Sequence, residues 1–415
     1  MKTKPRLYRL GTGLLTAILG ITIAMPSFAA QADSLTTLKS ASWSTPLFSA
    51  TDHPDLSEVN DIKVIPSQSL VYVKASHVEQ NAHATSSTSD TNTHEIDTFN
   101  AYSTKDGKLE WSYTNLGEPG DTGVTQYANN GTVYFCNRYA DGHYRLTSLN
   151  PTGKVNWTVK LPAMANAFPY DLSLMQDGSL LVSVAVHTDS QGNVQSMLKR
   201  YDANGKLLQQ KVVNGYVMAA SGKRIIVDAS IYKNNDTQLK NAKVDVYGLQ
   251  LNSIYNHRAI LEFDHYDDQI AVLNDGTVLI GTYKPDEGNR FIRFDANGKI
   301  TGTQAVSDDY QLQSTDSGYI LYDHNIFKWY RSSSQKPVAS TTLKGSPGDT
   351  SWIQHTSDGN LLITMLDRTY ILNPTTHAII AAWHRTSSDL TFDYADHAVY
   401  TNQGQGTLSK YVVQK

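Results

Sequence analysis

Cysteine is almost absent from this chain: Cys136 is the single one in 415 residues. That excludes an intramolecular disulfide, and its setting, Val133-Tyr-Phe-Cys-Asn137, reads as a buried strand position. Helix-period apolar patterning is missing after the first thirty or so residues, which removes a helical solenoid. Basic charge is in deficit, with 35 Lys and Arg against 39 Asp and Glu. An acidic balance speaks against nucleic acid or an anionic membrane as partner, and for cationic peptides, basic protein faces or divalent ions. No G-x-S-x-G elbow, Walker A loop or dinucleotide glycine pattern occurs. His77, His83 and His94 flank or occupy a polar insertion but lack H-x-x-x-H spacing, and Asp286-Glu-Gly-Asn289 lacks the alternating ligands of a calcium loop. No metal ligand and no catalytic residue is therefore assigned. The His-Asp neighbours Asp264-His265 and Asp396-His397 are expected on opposite faces of a strand, which makes them poor catalytic partners.

Long apolar runs are also scarce, and the one that stands out lies at the N-terminus. Lys2, Lys4, Arg6 and Arg9 precede the apolar stretch Leu14–Met25, and small residues follow at Ala29, Ala30 and Ala32. This is the layout of a secretory signal peptide over 1–32, too short and too Gly/Thr-interrupted for a comfortable membrane span. No Cys lies near the cleavage site to carry a lipid anchor. Cleavage removes four positive charges and no negative ones, leaving 33–415 with a net charge of −8. The expectation is a secreted, periplasmic or cell-envelope protein without a membrane span after cleavage, and a monomer.

What the chain has in abundance is repetition. The phrase Tyr102-Ser-Thr-Lys-Asp-Gly-Lys-Leu-Glu-Trp111 returns as Leu149-Asn-Pro-Thr-Gly-Lys-Val-Asn-Trp157, as Tyr201-Asp-Ala-Asn-Gly-Lys-Leu207 and as Phe294-Asp-Ala-Asn-Gly-Lys-Ile300. A looser copy is Ile371-Leu-Asn-Pro-Thr-Thr-His377, with Trp383 further on. Before each phrase stands a polar turn with glycine that opens a β-branched run. Those glycines fall at 131, 178, 222, 276, 318 and 359, at intervals of 47, 44, 54, 42 and 41 residues. Asn-Gly and Asp-Gly between apolar runs signal hairpins whose turn residues both tolerate positive φ. Four short strands per interval make a propeller blade.

The strands divide into blades at 63–115, 123–162, 168–213, 214–261, 263–306, 307–343 and 349–385. An eighth has only three strands, Leu390–Asp393, Ala398–Thr401 and Thr407–Val413. Ala41-Ser-Trp-Ser-Thr-Pro-Leu47 resembles the outer strands at Trp111 and Trp157 and is expected to complete it, leaving no free sheet edge. The reading is an all-β, eight-bladed propeller of four-stranded blades, a single domain over 33–415, with seven blades as the alternative.

On these repeats the chain resembles the pyrroloquinoline-quinone-like β-propeller family. That family includes quinoprotein alcohol dehydrogenases and the propeller lipoprotein of outer-membrane barrel assembly. The dehydrogenases would imply a quinone, a catalytic Asp, a calcium ion and in many cases a vicinal cysteine pair. One cysteine cannot make the pair, and no calcium-ligand set can be placed, so no cofactor is assigned. In the family, Trp at the outer strand docks one blade on the next, which is the role expected of Trp43, Trp111, Trp157 and Trp383.

Propeller geometry puts the turns between first and second and between third and fourth strands on one face. The other two kinds of connection lie on the opposite face. The first set is tight; the second holds the insertions Glu79–His94, His187–Gln195, Ile231–Asn241 and Lys284–Asn289. Before the first strands stand Asp121, Asp171, Asp267, Asp268, Asp308, Asp309, Asp349 and Asp389, interleaved with Phe168, Tyr170, Tyr216, Tyr266, Tyr310 and Trp352. Asp is also a turn former through its own backbone. Exposed on one rim, these carboxylates would steer a cationic partner. The candidate ligand-binding set is Asp121, Tyr170, Asp171, Asp268, Asp309, Tyr310, Asp349, Trp352 and Asp389. The functional expectation is a non-catalytic scaffold for a protein or cell-envelope ligand. The alternative is a funnel-site enzyme, either an oxidoreductase without quinone or a polysaccharide hydrolase or lyase.

Overall fold

The computed structural model describes residues 38, 40–48, 57–80, 93–114, 116–117, 123–162, 167–188, 193–229, 231–232, 239–241, 243–258, 269–284, 288–344, 352–384, 391–402 and 406–413. The proposed signal peptide lies outside them. Eight antiparallel sheets of four strands form a ring, an eight-bladed propeller. Blade 1 is Glu58–Ile65, Leu70–Gln80, Thr93–Ser103 and Leu109–Tyr113; blade 2 is Val124–Tyr127, Val133–Arg138, Tyr144–Leu149 and Val155–Lys160. Blade 3 is Phe168–Leu174, Leu180–Thr188, Val194–Tyr201 and Leu207–Asn214; blade 4 is Tyr216–Ser221, Arg224–Asp228, Lys243–Gly248 and Ser253–Arg258. Blade 5 is Ile270–Val272, Val278–Lys284, Gly288–Phe294 and Ile300–Ala305; blade 6 is Tyr310–Thr315, Gly318–Asp323, Ile326–Arg331 and Ala339–Thr342. Blade 7 is Trp352–His355, Leu361–Thr364, Arg368–Leu372 and Ile379–His384. Blade 8 is Phe392–Ala395, Ala398–Asn402, Thr407–Val412 and the N-terminal strand Trp43–Pro46. First strands of neighbouring blades pack side by side around the axis.

Trp43 pairs with Lys410 and Pro46 with Thr407, so the start of the chain closes the ring as expected. The first strand of blade 8 begins two residues later than the sequence pattern placed it. Asp396 and His397 are not strand residues on opposite faces. They are the two turn residues between Ala395 and Ala398, with φ of 50° and 58°.

The glycine turns are of more than one kind: Gly222-Lys223 is a two-residue hairpin turn between paired Ser221 and Arg224, Gly318 is a strand residue paired with Thr315, and the turns at Gly131, Gly178 and Gly276 differ from a two-residue primed hairpin. At Ala128–Thr132 the Gly131 N–H bonds Ala128 O at 2.9 Å, and only the glycine, at φ 87°, is left-handed. Asn130 instead turns its side chain back to accept from the Thr132 N–H at 3.0 Å, and Asp177 and Asp275 do the same for Ser179 and Thr277. The Asx residue thus acts as an acceptor for the turn backbone, and glycine alone supplies the positive φ.

The core consists of inter-blade layers. Each seam has its own buried apolar cluster, from blades 1 and 2 (Tyr72, Phe99, Phe135, Leu149) round to blades 8 and 1 (Val64, Val73, Tyr400, Leu408). The repeated Gly-Lys turn and the outer-strand Trp are the two halves of a lock across these seams. Trp157 of blade 2 donates its indole N–H to Ala203 O of blade 3 at 2.8 Å, and its ring covers Gly205, where a Cβ would stand 2.6 Å from the indole. Trp111 repeats this on Pro151 O (2.8 Å) and Gly153, and Trp43 on Thr104 O (3.2 Å) and Gly107. Glycine is needed there because the indole occupies the space of a side chain.

Between blades 4 and 5, Tyr255 takes the ring position over Gly298. It has no indole N–H, and Arg224 supplies the missing donor to Ala296 O at 3.1 Å. Trp383 does not belong to this series. Register places Ala381 at the locking position, and Trp383 sits two residues further along, buried against Phe392 and Tyr394 of blade 8.

Candidate binding face

The insertions between second and third strands are hairpin extensions at their bases. In blade 1 the ladder runs out to Gln80–Thr93, in blade 3 to Thr188–Val194 and in blade 5 to Lys284–Gly288. In blade 4, Ile231–Tyr232 and Leu239–Asn241 form a separate two-stranded ribbon. This face is therefore raised on ribbons that continue the blades.

Of the candidate ligand-binding residues, Asp121, Asp268, Asp349 and Asp389 lie outside the described residues, as does the side chain of Trp352, which begins the first strand of blade 7. Asp171 follows a β-bulge between Pro169 and Asp171 on the innermost strand of blade 3. Its carboxylate accepts from Ser173 Oγ at 3.1 Å and from Ser183 Oγ at 3.4 Å, and burial pushes its pKa up. It is a bonded wall residue and not an open rim charge. Tyr310 is 4% exposed and is packed between blades 5 and 6, its hydroxyl over Gly281. Asp309 is exposed, with its carboxylate 3.8 Å from His324 Nε2, while neighbouring Asp308 accepts from Asn289 Nδ2 at 3.2 Å.

Tyr170 is brought together with Phe168 and Tyr216 in an aromatic corner where blades 3 and 4 meet. The Tyr170 and Tyr216 rings meet edge-on at 5.3 Å, and Phe168 lies edge-on to Tyr170 at 6.4 Å. Phe168 and Tyr216 are 44% and 41% exposed. Tyr170 is their fixed backing: its hydroxyl donates to Ser196 Oγ at 2.9 Å and accepts from the Val217 N–H at 2.8 Å. Ser196 in turn donates to Gly215 O at 2.6 Å. Gly215 has φ 112°, and a Cβ there would lie 1.7 Å from Asp228 O, so no other residue fits this connection.

A site that the sequence pattern did not single out lies on the channel wall where blades 7, 8 and 1 meet. A cavity of about 210 Å3 is lined there by Asp61, Lys63, His355 and Asp393 among others. Asp393 is 2% exposed and accepts from Val64 N–H (2.8 Å), Ser357 N–H (3.1 Å), Ser357 Oγ and Tyr394 N–H (2.8 Å), with Lys63 Nζ 3.7 Å away. Asp61 follows a bulge, as Asp171 does, and burial raises its pKa against the opposing pull of Tyr127, Lys63 and Lys74. Burial lowers the His355 pKa. Of the three first strands in this wall only that of blade 1 carries a bulge, between Val59 and Asp61, and a bulge leaves no fixed residue signature in the chain.

Among the described residues no three His, Cys, Asp or Glu side chains converge as metal ligands. Cys136 is buried in blade 2, away from this wall. No known sequence family matches the chain, and no curated protein does. Solved structures do. Sqt1 of Saccharomyces cerevisiae is 10% identical, with 90% of this chain and 99% of that one covered at a TM-score of 0.50. BamB of Moraxella catarrhalis is 12% identical over 86% of this chain and 98% of its own, at 0.45. The Pan2 WD40 domain of Neurospora crassa is 10% identical over 91% and 95%, at 0.46. What is shared is the β-propeller fold. Likenesses at 10–12% identity show the fold alone and do not show the pyrroloquinoline-quinone-like family. A fold alone fixes no activity. No helix among the described residues is long and apolar enough to cross a membrane.

Proposed function

We propose that the protein is an exported scaffold that recognises a cationic protein or cell-envelope ligand on the ribbon-bearing face, without a bound cofactor and without chemistry of its own. The observation that carries this reading is the aromatic corner, in which Phe168 and Tyr216 stand exposed on adjacent blades over a hydrogen-bonded Tyr170. Rigid, half-open aromatics supply large contact area at small entropic cost, the chemistry of binding hot spots. The acidic balance of the chain supports a basic partner, and the N-terminal residues support export.

The test is capture of partners from the host envelope by the protein lacking 1–32, compared with a Phe168→Ala/Tyr216→Ala variant of unchanged melting temperature. Loss of the captured partner is expected. Equal capture by the variant sinks the reading.

The funnel-enzyme alternative draws on one feature, the buried Asp61 beside Lys63 and His355 in the channel-wall cavity. A carboxyl whose pKa burial raises is a candidate general acid. Turnover of an envelope polysaccharide that Asp61→Asn abolishes would favour it over the scaffold.

A further inference from the structure

A cleft of about 320 Å3 opens between blades 5 and 6 on the ribbon-bearing face. Its floor is Tyr310, Leu321 and Tyr330, each 5% exposed or less, and Ile326 stands at its lip, 42% exposed. Gln304 enters from the outer strand of blade 5. Its Nε2 donates to the Tyr330 hydroxyl at 3.3 Å, but its Oε1 is enclosed with no hydrogen-bond partner. An enclosed acceptor in a tyrosine-lined cleft is destabilising unless a donor arrives from outside. The mouth is acidic. Asp323 lines it, and the connection that carries Asp308 and Asp309 borders it through Val306 and Ser307. His324 links the two sides, bonded to Asp323 through Nδ1 and 3.8 Å from Asp309 through Nε2. Ser307 and His324 hold the Asp323 carboxyl below its usual pKa, with Lys328 adding a weaker pull. Against these three carboxylates stands one lysine, Lys328.

We propose that this cleft is the pocket for one arginine side chain of a basic partner, its guanidinium lying between tyrosines and donating to Gln304 Oε1. The proposal rests on the reading of this face as the binding face and names one of its contacts. Arginine suits the place better than lysine because a guanidinium is weakly hydrated, stacks on aromatic rings and offers several donors in a plane. The three carboxylates steer it in, and Lys328 opposes them. The volume is at the low end for ligand pockets, right for a single long side chain and too small for a folded element.

The test is titration calorimetry of the protein lacking 1–32 with tetra-arginine amide at physiological salt. Val306→Trp fills the cleft without changing charge, and Ile326→Lys places a positive charge at an exposed lip position where folding is not at stake. Both are expected to weaken binding at least tenfold, and Lys328→Ala to tighten it several-fold. Equal binding by wild type and both pocket variants would mean that diffuse charge holds the peptide, and would overturn the proposal, as would no binding to wild type. Phe168→Ala/Tyr216→Ala is expected to leave tetra-arginine binding intact, because the corner and the cleft lie on different blade seams. Survival of envelope-partner capture in that variant refutes the scaffold reading alone; indifference of tetra-arginine to the cleft variants refutes the pocket alone.

Discussion

Replacing Asp393 with alanine removes the acceptor on which three blades converge. Its two carboxylate oxygens take the N–H of Val64 from blade 1, and the N–H and hydroxyl of Ser357 from the tight turn of blade 7, while Asp393 itself belongs to blade 8. The site is 2% exposed, so water cannot freely replace the lost partner. Leaving a buried donor unsatisfied costs about 1–3 kcal/mol, and the three backbone donors, those of Val64, Ser357 and Tyr394, are the ones that cannot rotate away. Lys63, about one-third exposed, reaches solvent and adds little. The expected loss is about 3–5 kcal/mol, a large part of a typical domain stability of roughly 5–15 kcal/mol. Asp393→Asn keeps one oxygen but turns an amide donor toward a donor, and is expected to fall between wild type and alanine. The assay is chemical denaturation combined with hydrogen exchange of the segment 58–65, whose Val64 amide reports the seam directly. Asp367→Ala, at an exposed aspartate paired only with Arg368, is the control, at under about 0.5 kcal/mol. A loss below about 1 kcal/mol for Asp393→Ala, with Val64 exchange unchanged, would refute the argument that this carboxylate holds the ring shut.

Asp61 gives a pH signature of opposite sign to an ordinary salt-bridged aspartate. Burial raises its folded pKa above 3.8, so the folded state holds the proton longer and stability falls as pH rises from about 3.8 through the raised value. Asp61→Asn is therefore expected to be more stable than wild type at pH 7 and no more stable below about pH 3.5, measured by urea unfolding at both. Trp157→Phe keeps a ring over Gly205 but loses the N–H to Ala203 O, for an expected cost of about 1 kcal/mol in denaturant unfolding. An unchanged midpoint would assign the lock to packing alone. Gly215→Ala forces a Cβ into Asp228 O at positive φ, and is expected to cost about 2 kcal/mol or more and to weaken partner capture by shifting Tyr216.

The blade frame was legible because its signals are local. A glycine turn every forty-odd residues, flanked by β-branched runs, is complete within a dozen residues each time. Closure by Trp43 was also legible, since an outer strand looks alike wherever it falls in the chain. Reading failed where geometry depends on register or on distant partners. Trp383 looks like a locking tryptophan until pairing shows Ala381 in that place. Asp396-His397 looks like strand until both residues take positive φ. The Asp393 seam joins residues 329 positions apart through Val64, a relation that no window of the chain contains. The candidate rim carboxylates mixed two environments under one pattern. Asp171 is bonded into a bulge by serines, and Asp309 stands in solvent beside a histidine.

The two faces divide the work, and the division follows from where the locks are. Trp43, Trp111, Trp157 and the Tyr255–Arg224 pair all engage turns between third and fourth strands, so changes to those turns are penalised by loss of docking. Among the described residues, the opposite face carries no such series of locks. Its connections vary in length from Gly215 alone between blades 3 and 4 to the fourteen residues 229–242 between the second and third strands of blade 4. Side chains on that face are held by individual devices, a tyrosine hydroxyl under the Phe168–Tyr216 corner and a histidine between Asp309 and Asp323. A surface free of the repeat's constraint is the one on which an aromatic corner and a differently charged cleft can sit on separate seams. A partner that spans both would need a basic side chain set off from an apolar patch by the distance between blades 3–4 and blades 5–6.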